Sequence, residues 1–230
     1  MWKTLKEIIL NAFWPRSCVN CGKAGQCLCE DCFAMIDIFR DISYEKFLYL
    51  DGLHAATAYN DKMVKAIIHL CKYSRIKELS RTLADLIITH FKLLDNQTLI
   101  SNRLSFGKQN LGGLIVCGVP MHRRKLKNRG FNQSEEIAKH FSEEFELAFI
   151  PDLLIKTKKT LPQTELAKEE RIKNVSGVFA LNPPFKEFVG NKEVLLIDDV
   201  FTTGSTMEEC AKVLKQNHSR RVWGAVVARG

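Results

Sequence analysis

One segment, residues 194–206, constrains the fold most, because a short apolar run there leads directly into two carboxylates and a turn of small polar residues. The apolar part, Val194–Ile197, is typical of a strand buried on both faces, as in a parallel sheet covered by helices. Asp198 and Asp199 follow at the carboxyl end of that strand, where open α/β sheets bind ligands. The segment therefore predicts an α/β fold with a mainly parallel sheet flanked by helices.

The residues after the acidic pair predict an anion site. They form a turn of five small or hydroxyl residues, namely Thr202, Thr203, Gly204, Ser205 and Thr206, and a helix is predicted from about residue 207 to 216. Free N–H groups at the start of a helix, together with short hydroxyl side chains, bind phosphate well. Carboxylates repel phosphate and suit hydroxyl groups or a bridging divalent cation instead. A sugar phosphate suits both parts of this segment, since its hydroxyl groups can meet the carboxylates and its phosphate can meet the turn. The simpler alternative is a buried strand and a helix capped by Asp199 or Thr202.

Five of the eight cysteines lie close together near the N-terminus: Cys18, Cys21, Cys27, Cys29 and Cys32. The two-residue spacings in Cys18–Cys21 and Cys29–Cys32 predict the four thiolates of a tetrahedral structural zinc site. Cys27 could replace Cys29 as a ligand, although the spacing favours Cys29. The other three cysteines (Cys71, Cys117 and Cys210) are expected to be buried as small apolar residues.

Composition indicates a globular protein of two parts. A four-cysteine module with an N-terminal helix is expected over residues 1–45, and the α/β domain over residues 46–230. The formal net charge of +8 favours anionic partners, either polyphosphates or nucleic acid. No apolar run is long enough for a membrane span, and residues 1–13 lack the features of a signal peptide. We therefore expect no stable membrane insertion and a cytoplasmic location, where disulfides are rare.

Between these parts, strands and helices are expected to alternate, as in a parallel sheet with helical connections. Strands are predicted at residues 53–59, 114–119, 153–155, 178–180 and 222–228, and helices at residues 61–71, 77–94 and 132–145.

Residues 194–206 closely resemble the phosphoribosyl pyrophosphate (PRPP) motif of type I phosphoribosyltransferases. In that family the acidic pair contacts the ribose hydroxyls and the turn holds the 5′-phosphate. The resemblance implies that Asp198 and Asp199 are catalytic residues and that Mg²⁺ binds together with PRPP or a related nucleotide.

The same resemblance points to the most basic segment, which follows the predicted strand at residues 114–119. In phosphoribosyltransferases the loop after a neighbouring strand holds the pyrophosphate, and Arg and Lys suit that doubly charged group. We therefore expect pyrophosphate contacts from Arg123, Arg124 and Lys125, and from Lys72 in a second basic turn. The alternative is a basic face that is merely solvated.

Residues 156–164 lie where related enzymes carry a flexible hood over the active site. Lys158, Lys159 and Gln163 are the candidates there, since a hood excludes water and brings in a cation for the leaving group. The lysines would equally suit a nucleic-acid contact or solubility.

Taken together, the motifs resemble the ComF family. They are the four-cysteine cluster, the sequences VPMHRRK and RGFNQ at residues 119–125 and 129–133, and the residues Gln163, Arg171 and Asn174 that precede the acidic turn. The resemblance implies a phosphoribosyltransferase-like protein linked to DNA uptake and natural transformation. Two classes stay open: an enzyme with an unknown acceptor, and a catalytically inactive PRPP sensor or single-stranded DNA-binding module. The implied partners of either class are single-stranded DNA and the competence helicase or other DNA-processing proteins.

Overall fold

The computed structural model describes residues 17–73, 76–95, 114–158 and 175–230. Its centre is a five-stranded sheet made of β1 (Gly52–Ala58), β2 (Leu114–Gly118), β3 (Ala148–Phe149), β6 (Glu193–Phe201) and β7 (Arg221–Arg229). The strands lie in the order β1-β7-β6-β2-β3, and every neighbouring pair is parallel. The predicted α/β class with a mainly parallel sheet is confirmed.

Two short strands lie outside this sheet. Among the described residues, strands β4 (Leu154–Lys156) and β5 (Phe179–Leu181) pair with each other alone, and they are antiparallel. Strands were predicted within one residue of both positions, but the two form a separate antiparallel pair and do not join the parallel sheet. Strand β4 is buried on one face only, since Ile155 at its centre is 37% exposed. Such one-sided burial is usual for antiparallel pairs and not for parallel sheets.

In the part of the chain that the structure describes, six α-helices accompany the strands. They are α1 (Glu30–Ala34), α2 (Lys62–Tyr73), α3 (Leu79–Asp95), α4 (Arg123–Arg129), α5 (Gln133–Phe145) and α6 (Ser205–Gln216). Helices α2, α3 and α5 share an apolar cluster with Leu195 and Ile197 of β6, whereas α6 shares another with Val194 and Leu196. Strand β6 is thus covered on both faces, which is why its residues form an unbroken apolar run. The three isolated cysteines are fully buried, as predicted.

Helix α4 occupies the segment that the sequence predicted as a basic loop. His122 Nδ1 accepts a hydrogen bond from the Arg124 N–H at 3.3 Å, and Gly130 ends the helix with φ of 89°. Arg, Lys and Leu are good helix formers. Basic residues in the last turn, Lys127 and Arg129, also suit the negative end of the helix dipole. Local capping therefore makes this segment helical despite the repulsion between its charges.

The cysteine-rich segment packs on the body of the domain. Cys18, Leu28, Cys29 and Cys32 belong to the same apolar cluster as residues of α3 and the sheet. The following segment is tied to β1, since the Phe39 N–H donates to the Ala56 carbonyl at 2.9 Å. The boundary between residues 1–45 and 46–230 stays a prediction, and residues 1–16 lie outside the described part of the chain. Across the residues that the structure describes, no helix has the length and apolar character to span a membrane.

Candidate functional site

A cleft of about 500 Å³ lies at the carboxyl edge of the sheet. Asp198 and Asp199 of β6 line it together with all five residues of the turn, Thr202–Thr206. The residues that follow β2, the end of α2 and the start of α5 form further parts of the wall. The structure therefore brings the predicted acidic pair and the predicted phosphate turn into one cavity.

The turn places the amino terminus of α6 in this cleft. Gly204 occupies the N-cap position with φ of 74°, a left-handed conformation that suits glycine. A Cβ atom there would lie 2.3 Å from Cζ of Phe201, so no other residue fits without displacing that ring. Helix α6 consequently begins at Ser205, about two residues earlier than predicted, and neither Asp199 nor Thr202 is its cap.

Asp198 is held by contacts that the sequence did not indicate. Its Oδ1 accepts hydrogen bonds from Ser134 Oγ at 2.7 Å and from the Asp199 N–H at 2.9 Å. Burial, followed by the charge of Asp199, raises the pKa of Asp198 to about 6 despite the opposing effect of these bonds. The side chain is thus a weaker acid than usual while its orientation is fixed.

Gly118 at the end of β2 explains how Ser134 reaches the acidic pair. A Cβ atom at Gly118 would lie 2.5 Å from the Glu135 nitrogen, so only glycine lets the start of α5 approach the strand this closely. Asn132 takes the N-cap position of α5 but makes no capping bond with its side chain. Its amide instead donates to the Val119 carbonyl and to Glu135 Oε1.

Lys72, predicted as a pyrophosphate ligand, pairs with Asp199. The Nζ atom lies 2.8 Å from Asp199 Oδ2, and both side chains are largely buried. Burial acts to lower the pKa of Lys72, but the nearby carboxylate of Asp199 outweighs it and the pKa is raised. Lys72 is therefore charged in the cleft and partly neutralises the acidic pair.

The other three residues predicted to bind pyrophosphate differ in whether they line the cleft. Lys125 lines the cleft, whereas Arg123 and Arg124 are exposed on α4 and are not among the lining residues. Arg129 and Lys156 line the cleft as well, and the sequence did not single them out for this wall. In the sequence, Arg129 was marked only as part of the basic segment and of the RGFNQ motif, and Lys156 only as the first residue of the predicted hood. The pyrophosphate assignment stays a prediction.

The positive charges of the cleft wall repel one another. Burial, together with the charges of Arg129 and Lys72, lowers the pKa of Lys125. Burial and the charge of Lys125 lower the pKa of Lys156. A bound polyanion would relieve this repulsion, because an opposite charge favours the protonated form of each lysine. The wall is thus suited electrostatically to phosphate groups.

The predicted hood lies mostly outside the described residues. Lys158 is exposed at the end of a described segment. Lys159, Gln163, Arg171 and Asn174 belong to the part of the chain that the structure does not describe.

The four predicted zinc ligands come together. The sulfur atoms of Cys18, Cys21, Cys29 and Cys32 all lie within 4.8 Å of one another. The Cys21–Cys29 pair is 3.6 Å apart, and zinc–sulfur bonds of about 2.3 Å imply sulfur separations of about 3.8 Å in a tetrahedral site. Cys27 lies outside this group. Burial acts to raise the pKa of Cys18, but backbone N–H groups outweigh it and lower that pKa to about 6. The cluster is suited to a metal that prefers thiolates.

Fold and site together define an α/β protein with a polar cleft at the carboxyl edge of a parallel sheet and an N-terminal cluster of four cysteines. No protein-family model matches the sequence. DNA utilization protein YhgH of Escherichia coli strain K12 is 30% identical over 156 residues, which are 68% of this chain and 63% of that protein. Competence protein F of Haemophilus influenzae is 31% identical over 111 residues, which are 47% of this chain and 48% of that protein. The chain is a homologue of these proteins, and the predicted resemblance to the ComF family is confirmed.

The match spans less than two thirds of the curated relatives. A solved structure described as the allosteric regulatory enzyme of purine biosynthesis has a TM-score of 0.33 and 19% identity, covering 51% of this chain and 24% of that one.

Proposed function

We propose that the cleft binds PRPP together with Mg²⁺ and that the protein acts in DNA uptake or use. One observation carries the ligand assignment: Asp198, Asp199 and the turn Thr202–Thr206 line the same cavity. The turn presents the N–H groups at the start of α6 to a 5′-phosphate. The carboxylates accept hydrogen bonds from ribose hydroxyls and suit a hard cation such as Mg²⁺.

The remaining wall supports the assignment. Lys125, Arg129 and Lys156 supply the positive charge that a pyrophosphate group requires. Mg²⁺ bound with PRPP would neutralise part of the pyrophosphate charge and make it a better leaving group.

The second cofactor that we propose is structural zinc on Cys18, Cys21, Cys29 and Cys32, supported by the compact arrangement of their sulfur atoms. Zinc in such a site contributes directly to folding. A cluster of reduced thiols also fits the cytoplasm as the working compartment.

The cellular role rests on the relatives. Proteins similar to this chain are named for competence and for the use of DNA. We propose that this chain works beside DNA-processing partners, such as a competence helicase, and that PRPP is either its substrate or the signal it senses.

Thermal unfolding with and without Mg-PRPP tests the pocket. Saturation to a hundredfold excess over the dissociation constant adds about 2.7 kcal/mol to the free energy of unfolding. Asp198→Asn should remove this gain while keeping the Ser134 hydrogen bond, because an amide oxygen also accepts. Asp37→Asn, at an exposed position outside the cleft, is the matched control and should respond like the parent. No stabilisation of the parent by Mg-PRPP would reject the assignment.

Measuring the turnover of PRPP distinguishes an enzyme from a sensor. An enzyme releases pyrophosphate from Mg-PRPP when a panel of bases and amines is supplied as acceptors. A sensor shows the same ligand-dependent stabilisation without release above the rate of the Asp198→Asn variant.

Single-stranded DNA binding is a second candidate function. Tyr73 lies at the cleft and is 67% exposed, beside Lys72. Helix α4, which contributes Lys125 to the same cleft, exposes Arg123, Arg124 and Lys127. Basic residues combined with an accessible aromatic ring are the usual elements of single-strand binding. Affinity should weaken steeply with salt and fall on Tyr73→Ala. An affinity that is independent of salt would reject this candidate.

A further inference from the structure

Gln133, the first residue of α5, has a side chain that folding alone does not explain. The residue lines the cleft and is only 1% exposed. Neither its Nε2 nor its Oε1 has a hydrogen-bond partner among the residues that the structure describes. An amide buried without partners destabilises a protein, whereas an apolar side chain of the same shape does not. The amide therefore points to a ligand.

The adjacent Asn132 shows the same incomplete bonding. Its Nδ2 donates to two acceptors, the Val119 carbonyl at 3.1 Å and Glu135 Oε1 at 2.8 Å. Two acceptor partners fix which end of this amide is nitrogen. Its Oδ1 is buried without a partner, and the residue also lines the cleft. The start of α5 thus presents two unsatisfied acceptors and one unsatisfied donor.

The chemistry of these atoms selects a hydroxyl group. A phosphate dianion has no proton to donate, so it could satisfy Nε2 of Gln133 but not Oε1. A hydroxyl donates and accepts, and it satisfies both ends of an amide. The position of Gln133 also favours a hydroxyl ligand, because the next residue, Ser134, donates a hydrogen bond to Asp198 at 2.7 Å. Asp198 is the carboxylate assigned to the sugar hydroxyls.

We propose that the Gln133 amide binds a ring hydroxyl of the pentose and makes the cleft selective for ribose over deoxyribose. This inference rests on the proposed function, since it names a further contact in the same site. The amide is present for the ligand and lowers the stability of the free protein. Asn132 supplies the second acceptor at the same wall.

The test compares the parent with Gln133→Met, which keeps the length of the side chain and removes its polar atoms. Gln216→Met, at the exposed end of α6 outside the cleft, is the matched control. Each full-length protein is titrated by calorimetry with Mg²⁺ and PRPP, 2-deoxy-PRPP or 3-deoxy-PRPP. The melting temperature of each free protein is measured alongside.

The parent and the control should bind PRPP about tenfold or more tightly than at least one deoxy analogue, the loss expected for one hydrogen bond. Gln133→Met should bind PRPP about tenfold more weakly than the parent and show a smaller preference over that analogue, while its melting temperature is equal or higher. Unchanged preference in Gln133→Met overturns the inference, as does a lowered melting temperature with unchanged PRPP affinity. A parent that binds none of the three ligands rejects the proposed function itself.

Discussion

Lys72 Nζ and Asp199 Oδ2 lie 2.8 Å apart and join the end of α2 to the end of β6 beneath the cleft. The pair supplies Asp199 with a counter-charge from within the chain. One carboxylate of the acidic pair therefore has a local counter-charge, whereas Asp198 is held by Ser134 and by the Asp199 N–H.

This pair predicts a non-additive effect on stability. Lys72→Met leaves the Asp199 carboxylate unpaired and should lower the free energy of unfolding by about 1–2 kcal/mol, less than for a fully dry pair because Lys72 is partly exposed. Asp199→Asn in the same chain should recover most of that loss. Urea denaturation of the two single variants and the double variant measures the coupling. Lys77→Met breaks an ion pair with Glu136 in which the lysine is exposed, and it should change stability by less than about 1 kcal/mol.

Asp198 should make the free protein more stable as pH falls from 6 to 4. Its pKa is raised to about 6 in the folded protein, above the ordinary value of the unfolded chain, so the folded state binds the proton more tightly. The unfavourable contribution is full above pH 6 and vanishes below pH 4. Asp198→Asn should therefore raise the free energy of unfolding at pH 7 by about 1–3 kcal/mol. Equal pH profiles for parent and variant would contradict this prediction.

His54 should have the opposite effect on stability and make the protein less stable as pH falls. It is buried in contact with His90 and stacked on Phe91 at 4.3 Å, and burial followed by the charge of His90 lowers its pKa to about 3. The unfolded chain binds the proton below about pH 6.5, so stability is full above that pH and is lost as pH falls toward 3. The loss is about 2–3 kcal/mol at pH 4.5.

His54→Phe keeps the ring in the core and should flatten the dependence between pH 6.5 and 4.5 in urea denaturation. His69→Phe, at an exposed position, should leave that dependence as in the parent. If stability falls as steeply with pH in His54→Phe as in the parent, groups other than His54 cause the loss.

Gly204→Ala should disrupt the turn. The new Cβ requires a strained left-handed conformation and would lie 2.3 Å from the Phe201 ring. We expect a loss of about 1–3 kcal/mol in stability and weaker binding of Mg-PRPP, measured by thermal unfolding with and without ligand. Gly190→Ala is the control, since its Cβ meets nothing closer than 3.8 Å, and it should be tolerated.

The cysteine cluster should hold one zinc ion per chain. Cys29→Ser should lose the metal, as measured by elemental analysis of the purified protein, while Cys27→Ser should keep it. The reverse result would make Cys27 the fourth ligand. Metal-free parent protein would refute the zinc proposal.

The acidic pair and the turn could be predicted from sequence because they are contiguous with the strand that positions them. The contact from Ser134 to Asp198 could not, since the two residues are 64 positions apart and meet only when β2 pairs with β6. Helix α4 was missed because its caps, His122 and Gly130, lie inside a run of charges that dominates the pattern. The sequence located the basic segment, but only the fold separates Lys125 from Arg123 in their access to the cleft.

Cys29 and Cys32 belong to the same apolar cluster as Ile88 and Phe91 of α3. If the cluster holds zinc as proposed, release of the ion or oxidation of the thiols would disturb that shared interior along with the N-terminal segment. The amount of intact protein in a cell would then follow the supply of zinc and the oxidant load, even where PRPP is plentiful.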